Sequence, residues 1–340
     1  SAEALAGVGV AAVVFYGAYM GINGTMEINN FMAFLAAMML SYQSIRNLSN
    51  FYTAMSDGSA AAARSFELLD APIAITDAID ATPLKLADRR PHGAIRFADV
   101  TFEYSAESNA ALHDVTFEVP AGKTVALVGP SGAGKTTLCS LLPRFYEPQA
   151  GRISIDGIDV AAMTQASLRA QIGIVQQDVF LFAGTIRDNI AYGKPGATEE
   201  EVLAAAQATY VDRFVHSLPD GYDTLLDSEA SNISAGEKQL LTIARAFISD
   251  PALLILDEAT SSVDTRTELL VQHAMAALRT DRTSFVIAHR LSTIRDADLI
   301  LVMEDGRIVE QGGHADLLAA GGPFARLYAA QFAGAMAEAG

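Results

Sequence analysis

Cysteine and positive charge are both scarce in this sequence of 340 residues. Its single cysteine, Cys139, excludes an intrachain disulfide and is interpreted as a small core residue, so nothing indicates an oxidising compartment. Lys and Arg number 23 against 40 Asp and Glu, which gives a formal net charge of −17. Because phosphate contacts need clustered basic residues, this deficit excludes a general nucleic-acid binder.

The amino terminus lacks the features of a cleaved signal peptide. Residues 1–3 read SAE, with neither a methionine nor a basic segment before the first apolar run. We therefore expect the chain to be truncated at its amino terminus.

Two long stretches lack Asp, Glu, Lys, Arg and His. Residues 4–26 are rich in Ala, Val and Gly, and residues 28–45 form a second such run. A membrane-spanning helix needs about 20 apolar residues, whereas a buried core helix is usually shorter. With the turn-forming pairs Asn23-Gly24 and Asn29-Asn30 between them, the runs predict a transmembrane helical hairpin.

The second helix is predicted to leave the bilayer and to continue as far as Leu69. The alanine run 60–63 strongly favours helix. Arg46 and Arg64 indicate that this end is cytoplasmic, because basic residues are enriched on that side of membranes.

Beyond residue 91, short β-rich runs alternate with helical ones. Residues 95–102 alternate apolar and polar side chains, as a half-buried strand does, and residues 124–128 and 253–256 have the composition of buried parallel strands. This order predicts an α/β fold with a parallel core sheet and a small antiparallel β part. The predicted division is residues 1–70 for the membrane part, 71–91 for a proline-containing linker, 92–333 for the α/β domain and 334–340 for a tail.

Residues 129–136 read GPSGAGKT and fit the phosphate-binding pattern G-x-x-x-x-G-K-[ST], between a predicted strand and a predicted helix. The glycines let backbone N–H groups surround a polyphosphate at the start of the helix. Lys135 is expected to reach the β- and γ-phosphates, and Thr136 to bind Mg²⁺ through its hydroxyl. The strand–loop–helix context disfavours an incidental turn. The predicted contacts are Gly129, Pro130, Ser131, Gly132, Ala133, Gly134, Lys135, Thr136 and Thr137.

A second motif ends the apolar run 253–256 with two adjacent carboxylates, Asp257 and Glu258. A carboxylate at the end of a core strand suits Mg²⁺, directly or through water. Its neighbour can orient and deprotonate a water molecule for in-line attack. Solvated acidic pairs are common at strand ends, so the phosphate-binding loop upstream is what strengthens this interpretation.

The two motifs stand in an order that resembles the ATP-binding-cassette (ABC) ATPases, and the resemblance covers about residues 92–333. It implies a P-loop NTPase domain that also contains a helical signature subdomain. Gln177 resembles the Q-loop glutamine, and residues 232–239 (NISAGEKQ) resemble the signature usually written LSGGQ. Asp264 resembles the D-loop aspartate, and His289 resembles the switch histidine. Tyr104 resembles the aromatic residue that stacks on adenine.

The resemblance implies an ATPase with ATP and Mg²⁺ as cofactors. It gives Glu258 the role of general base, supported by Lys135, Gln177 and His289. Mg²⁺ would be held by Thr136, Gln177 and Asp257. Nucleotide contacts would come from Tyr104 and the phosphate-binding loop and, across a dimer interface, from Ser234, Gly236 and Asp264.

Simpler structural explanations stay open for several of these residues. Ser234-x-x-Glu237 is also a capping box that starts a helix, and Asp264 also suits a helix cap. His289 could be a structural histidine, and Tyr104 a strand aromatic.

The signature also departs from the commonest form. Ile233, Ala235 and Glu237 differ from it, and Glu237 brings a negative charge near the expected γ-phosphate. Ala230 follows Glu229 where exporters often have Glu-Gly, which puts the coupling role of Glu229 in doubt.

Residues 66–70 (FELLD) and 181–190 (LFAGTIRDNI) resemble exporters rather than importers. An exporter half-transporter implies four further helices upstream and a multi-pass protein of the bacterial inner membrane with a cytoplasmic ATPase domain. Its partners would be membrane lipid, a second half-transporter, identical or different, and a lipid-like or hydrophobic cargo. The alternative is a low-turnover regulatory half of a heterodimer, which the joint presence of Glu258, His289 and Gln177 disfavours.

Overall fold

The chain, described here from a computed structural model, divides into two units, residues 1–74 and 75–340. The structure describes residues 2–24, 26–73, 75–83, 93–105, 111–176, 179–227, 230–257, 265–288 and 290–337. The predicted site residues Gln177, Glu258, Asp264 and His289 lie outside these ranges, as does Glu229.

The first unit consists of helices α1 (Ala2–Ile22) and α2 (Ile28–Leu69). Between them Gly24 adopts a left-handed φ of 69°, and its N–H donates to the carbonyl of Gly21 at 3.2 Å. The predicted turn at Asn23-Gly24 therefore forms. Asn29 and Asn30 do not contribute to it, because α2 begins at Ile28, immediately after an extended Glu27.

The end of α2 at Leu69 confirms the predicted extent of the second helix. Over the ranges that the structure describes, no helix combines the length and the apolar character needed to cross a membrane. Large apolar side chains nevertheless lie exposed along both helices, among them those of Phe15, Ile22, Ile28, Leu40 and Tyr52.

The second unit contains twelve strands and ten α-helices within the described ranges. The strands are β1 (Ile95–Phe102), β2 (Leu112–Val119), β3 (Thr124–Val128), β4 (Ala150–Ile155), β5 (Ile158–Asp159), β6 (Ile172–Val175), β7 (Gly184–Thr185), β8 (Leu225–Leu226), β9 (Leu253–Asp257), β10 (Thr283–Ile287), β11 (Leu299–Glu304) and β12 (Arg307–Gly312). The helices are α3 (Lys135–Leu141), α4 (Gln165–Arg169), α5 (Ile186–Ala191), α6 (Glu199–Ala208), α7 (Val211–Val215), α8 (Ala235–Ile248), α9 (Thr265–Arg279), α10 (Leu291–Arg295), α11 (His314–Ala320) and α12 (Pro323–Ala337).

The core sheet has the strand order β12-β11-β3-β10-β9-β6. Every pairing is parallel except that of β11 with the edge strand β12. The central strands β3, β10 and β9 are almost continuously buried, because other elements cover both faces of the sheet. The predicted parallel core and its runs 124–128 and 253–256 are confirmed.

An antiparallel sheet of order β2-β1-β4-β5 packs in front of this core. Phe97 in β1 is fully buried and stacks on Phe117 in β2, with ring centroids 4.6 Å apart. Phe117 in turn lies against Phe285 in β10, 6.1 Å away. This contact joins the two sheets into one hydrophobic core.

A helical part, built mainly from α5, α6, α7 and α8, surrounds a second cluster of buried side chains. Three capping boxes start its main helices and satisfy backbone N–H groups that have no partner within a helix. They pair Thr185 with Asp188, Thr198 with Glu201 and Ser234 with Glu237. This part corresponds to the predicted signature subdomain.

Part of the predicted linker lies against the second unit. Residues 75–83, which we call the strap, run beside the segment between β5 and α4. The N–H of Thr82 donates to the carbonyl of Ala162 at 3.1 Å, and the N–H of Thr164 donates back to Thr82 at 3.1 Å. The second unit thus begins at residue 75, and α12 extends to Ala337, while the domain bounds 92 and 333 stay a prediction.

The side chain of Arg144 binds the strap through a hydrogen bond to its backbone. Its side chain is only 3% exposed, and it donates to the carbonyls of Met163 at 2.9 Å and Thr76 at 3.3 Å and to Glu147 at 2.5 Å. Arg144 lies three residues after the end of α3, the helix that begins at the phosphate-binding loop. The strap is therefore held by the segment that directly follows that helix.

We predict that Arg144→Ala releases the strap. Hydrogen bonds from a charged donor contribute about 1.5–3 kcal/mol each, so amide exchange at Thr82 and Thr164 should accelerate by at least about tenfold. Hydrogen–deuterium exchange measures this, with Arg152→Ala as the control, because the 73% exposed Arg152 forms only a surface pair with Asp159. Unchanged exchange in Arg144→Ala would show that the strap holds without it.

Candidate nucleotide-binding site

The phosphate-binding loop leaves the sheet at the end of β3 and enters α3 at Lys135. Gly129, Gly132 and Gly134 all have φ between +81° and +153°, a region that side chains disfavour. A Cβ on Gly129 would overlap the carbonyl oxygen of Met303, and one on Gly134 would lie 2.8 Å from the carbonyl of Ala111. These two glycines are therefore required by close packing as well as by backbone conformation.

Gly132 differs, because a Cβ there would meet nothing within 4 Å. Ser131, Gly132 and Thr136 are exposed, whereas Ala133 and Thr137 are buried. The loop therefore has an anchored side that packs on the sheet and an exposed side that carries Ser131, Gly132 and Thr136. An open cradle of this kind suits a polyphosphate.

The ammonium group of Lys135 lies back across the loop. It donates to the carbonyl of Gly129 at 2.7 Å and to that of Pro130 at 2.8 Å. Burial lowers the pKa of Lys135, and the nearby carboxylate of Asp257 opposes that shift. The lysine thus lies between the phosphate-binding loop and the acidic end of β9.

Asp257 is the last residue of β9 and is half-buried. Its charge also acts on Cys139 in α3, where burial and then Asp257 raise the pKa of the thiol. The Asp257 carboxylate is thus close enough to α3 to act electrostatically on both Lys135 and Cys139. Hydroxyl and carboxylate oxygens are the ligands Mg²⁺ prefers, and this pair fits it, with phosphate and water oxygens completing the shell. Among the described residues, no group of three or more His, Cys, Asp or Glu side chains could hold a metal by itself.

Three further predicted residues follow the carboxyl ends of neighbouring strands. β6 ends at Val175, two residues before Gln177, and β9 ends immediately before Glu258. β10 ends at Ile287, two residues before His289. Because β3, β10, β9 and β6 are parallel neighbours, these ends share one edge of the sheet with the phosphate-binding loop, which is where ligands bind in such folds.

Tyr104 lies just beyond β1 and next to the start of α3. Its hydroxyl and that of Thr137 are 3.0 Å apart and form a hydrogen bond. Phe102 and Tyr146 place their rings beside it, with centroids 4.9 Å and 5.1 Å away. Sequence reasoning missed Tyr146, which lies 42 positions from Tyr104 and carries no local signal.

The signature residues Ser234 and Gly236 begin α8. The N–H and the hydroxyl of Ser234 both donate to Oε2 of Glu237, at 2.7 Å and 2.8 Å, and the N–H of Glu237 donates back to the hydroxyl at 3.3 Å. The predicted capping box is confirmed. Within it, the N–H and the hydroxyl of the signature serine Ser234 are already hydrogen-bonded to Glu237 of the same chain.

Ala230, which stands where exporters often have glycine, has an unusual backbone conformation. Ala230 is buried and has a φ of 46°, in the left-handed region that favours glycine. Alanine therefore holds a backbone conformation here for which glycine is better suited.

Comparisons with known proteins agree on the type of domain. Residues 112–261 match the family described as ABC transporter. A fatty acid ABC transporter ATP-binding/permease protein of Mycobacterium bovis is 49% identical over 316 residues, which are 93% of this chain and 49% of that protein. An ATP-dependent lipid A-core flippase of Syntrophus aciditrophicus is 43% identical over 330 residues, or 97% of this chain and 54% of that protein.

A solved structure of a bacterial Atm1-family ABC exporter with ATP bound is similar as well. It is 43% identical, with a TM-score of 0.74 over 90% of this chain and 53% of that chain. The chain thus spans about half the length of the relatives it matches.

We predict that Lys135→Ala weakens nucleotide binding by about 10- to 100-fold, because a charged hydrogen bond contributes about 1.5–3 kcal/mol. Calorimetric titration with ADP, which involves no hydrolysis, measures the affinity. Lys194→Ala is the matched control, since Lys194 pairs with Glu201 on the surface. Equal affinities for wild type and Lys135→Ala would show that this loop is not the site.

Proposed function

Because the chain belongs to the ABC transporter family, we propose that it binds and hydrolyses ATP to export a lipid-like or hydrophobic cargo across a membrane. The observation that carries the proposal is the phosphate-binding loop, whose two packed glycines fix it on the sheet and whose Ser131, Gly132 and Thr136 lie exposed next to Lys135. The mechanism then needs mainly positioning and electrostatic stabilisation of the phosphates.

In this mechanism the loop binds the polyphosphate and Lys135 exchanges its two carbonyl acceptors for phosphate oxygens. Thr136 and Asp257 would hold Mg²⁺, which when bound neutralises charge on the phosphates. Glu258 is proposed to take a proton from the attacking water. Gln177 is proposed as a further Mg²⁺ ligand, and His289 as the group that senses the γ-phosphate.

The active unit is proposed to be a dimer of ATPase domains. Ser234, Gly236 and Asp264 would complete the site around the nucleotide held by the partner. The 14-residue helix α8 begins at the signature residues Ser234 and Gly236, and its amino-terminal end favours an anion. Closure of two such domains would then drive the membrane part from one orientation to another.

A membrane location is proposed for residues 1–70, with the ATPase domain on the cytoplasmic side of a bacterial inner membrane. The exposed apolar side chains of α1 and α2 support it, because soluble proteins rarely expose large apolar patches. Relatives named as a permease, a fatty acid transporter and a lipid A-core flippase support membrane transport and a lipid-like cargo.

One observation favours a second candidate, the low-turnover regulatory half of a heterodimer. The carboxylate of Glu237 lies 2.8 Å from the hydroxyl of Ser234, where it competes with a phosphate for that donor and repels negative charge. A chain in which this competition dominated would bind ATP and hydrolyse it slowly.

We predict that Glu258→Gln keeps ATP binding and lowers turnover by about 10²- to 10⁴-fold, the usual contribution of a general base. Steady-state phosphate release and ATP binding are measured side by side, with Glu200→Gln in the exposed first turn of α6 as the control. Hydrolysis close to the wild-type rate in Glu258→Gln would refute the assignment.

The function itself is tested by Mg²⁺-dependent ATP hydrolysis of the full-length parent in lipid vesicles, alone and with added lipids or hydrophobic drugs. Hydrolysis stimulated by one of these compounds supports a self-paired exporter and identifies the cargo class. Binding without turnover supports the regulatory candidate. Absence of ATP binding overturns both.

A further inference from the structure

Tyr104 is held at a fixed orientation although it lies outside regular secondary structure. β1 ends at Phe102, and Tyr104 remains 53% exposed two residues later. A tyrosine in such a position normally samples several rotamers. Contacts from a separate segment of the chain, residues 146–149, restrict its ring and the backbone of Glu103, the residue before it.

The ring of Tyr104 contacts two other aromatic rings. The Tyr146 ring meets that of Tyr104 at 86° with centroids 5.1 Å apart, and the Phe102 ring meets it at 82° and 4.9 Å. Tyr146 and Phe102 also touch each other, at 5.4 Å. Edge-to-face pairs are favourable arrangements of aromatic rings. Together with the hydroxyl contact to Thr137, they fix both ends of the Tyr104 ring.

The backbone contacts come from Gln149. Its side-chain oxygen accepts from the N–H of Glu103 at 2.8 Å, and its side-chain nitrogen donates to the carbonyl of Glu103 at 2.8 Å. The main-chain N–H of Gln149 donates to Thr101 at 3.1 Å. The side-chain amide of Gln149 thus hydrogen-bonds to the backbone of Glu103 as a neighbouring strand would. Glu103 is the residue immediately before Tyr104.

We propose that Tyr146 and Gln149 are positioning residues that hold Tyr104 as a stacking platform for the base of a nucleotide whose phosphates lie on the phosphate-binding loop. The proposal rests on the proposed ATP-binding function. Tyr104 contacts the base, whereas Tyr146 and Gln149 act through Tyr104.

Exposure and placement argue for a binding role beyond packing. A purely structural aromatic cluster buries its rings, yet Tyr104 and Tyr146 stay 53% and 42% exposed while Phe102 is buried. The hydrogen bond to Thr137 ties the platform to α3, one residue after Thr136. Platform and loop therefore keep a fixed separation, so that one ligand can contact both. Stacking of a base on an aromatic ring contributes about 1–3 kcal/mol.

The test compares ADP with inorganic tripolyphosphate, which occupies a phosphate-binding loop without a base. Affinities are measured on the full chain by calorimetry for ADP and by competition against ADP for tripolyphosphate. Tyr146→Leu, which removes the aromatic contact, should weaken ADP binding by about 2- to 10-fold, from the usual strength of an aromatic pair. Tripolyphosphate binding should not change. Tyr146→Phe, which keeps the ring, should bind ADP like wild type.

A double-mutant cycle distinguishes positioning from direct contact. In the Tyr104→Ala background, Tyr146→Leu should cause no further loss of ADP affinity, because the residue through which it acts is gone. Gln149→Ala should weaken ADP binding in the same selective manner.

Three results would overturn the proposal. They are equal losses for ADP and tripolyphosphate, an additive effect of Tyr146→Leu in the Tyr104→Ala background, and unchanged ADP affinity in Tyr146→Leu. Failure of the proposed function itself looks different, because the wild-type chain would then bind neither ADP nor tripolyphosphate.

Discussion

The close approach of Gly129 to the carbonyl oxygen of Met303 fixes where the phosphate-binding loop leaves the sheet. That carbonyl belongs to β11, whose parallel pairing with β3 sets its position. Any side chain at residue 129 would push the loop off the sheet, and α3 and Lys135 would move with it. The anchored and open sides of the loop therefore both depend on the β3–β11 pairing.

The parallel order of the sheet extends this constraint to the rest of the site. β10, β9 and β6 lie on the other side of β3, and their carboxyl ends lead directly into the predicted His289, Glu258 and Gln177. Neighbouring strands are about 4.8 Å apart, so groups on adjacent strand ends can reach one triphosphate. The carboxylate of Asp257, at the end of β9, already raises the pKa of Lys135 at the start of α3, against the larger opposite effect of burial.

Local sequence patterns predicted the features whose physical cause is local. The spacing of residues 129–136, the capping box from Ser234 to Glu237 and the end of α2 at Leu69 all follow from interactions within a few residues. The strap and its bonds to Arg144 had no such signal, since Thr76 and Arg144 are 68 positions apart. The prolines in the predicted linker indicated only a break in helix. The strap pairs with its neighbours through isolated hydrogen bonds, which leave no periodic pattern of apolar residues in the sequence.

Cys139 has a consequence for labelling chemistry. Its thiol is fully buried in α3, and a raised pKa keeps it protonated, whereas alkylating reagents and oxidants attack the thiolate. We therefore expect Cys139 to react slowly with maleimides in the folded chain. Fluorophores or spin labels placed on introduced surface cysteines would report distances without first removing the natural one.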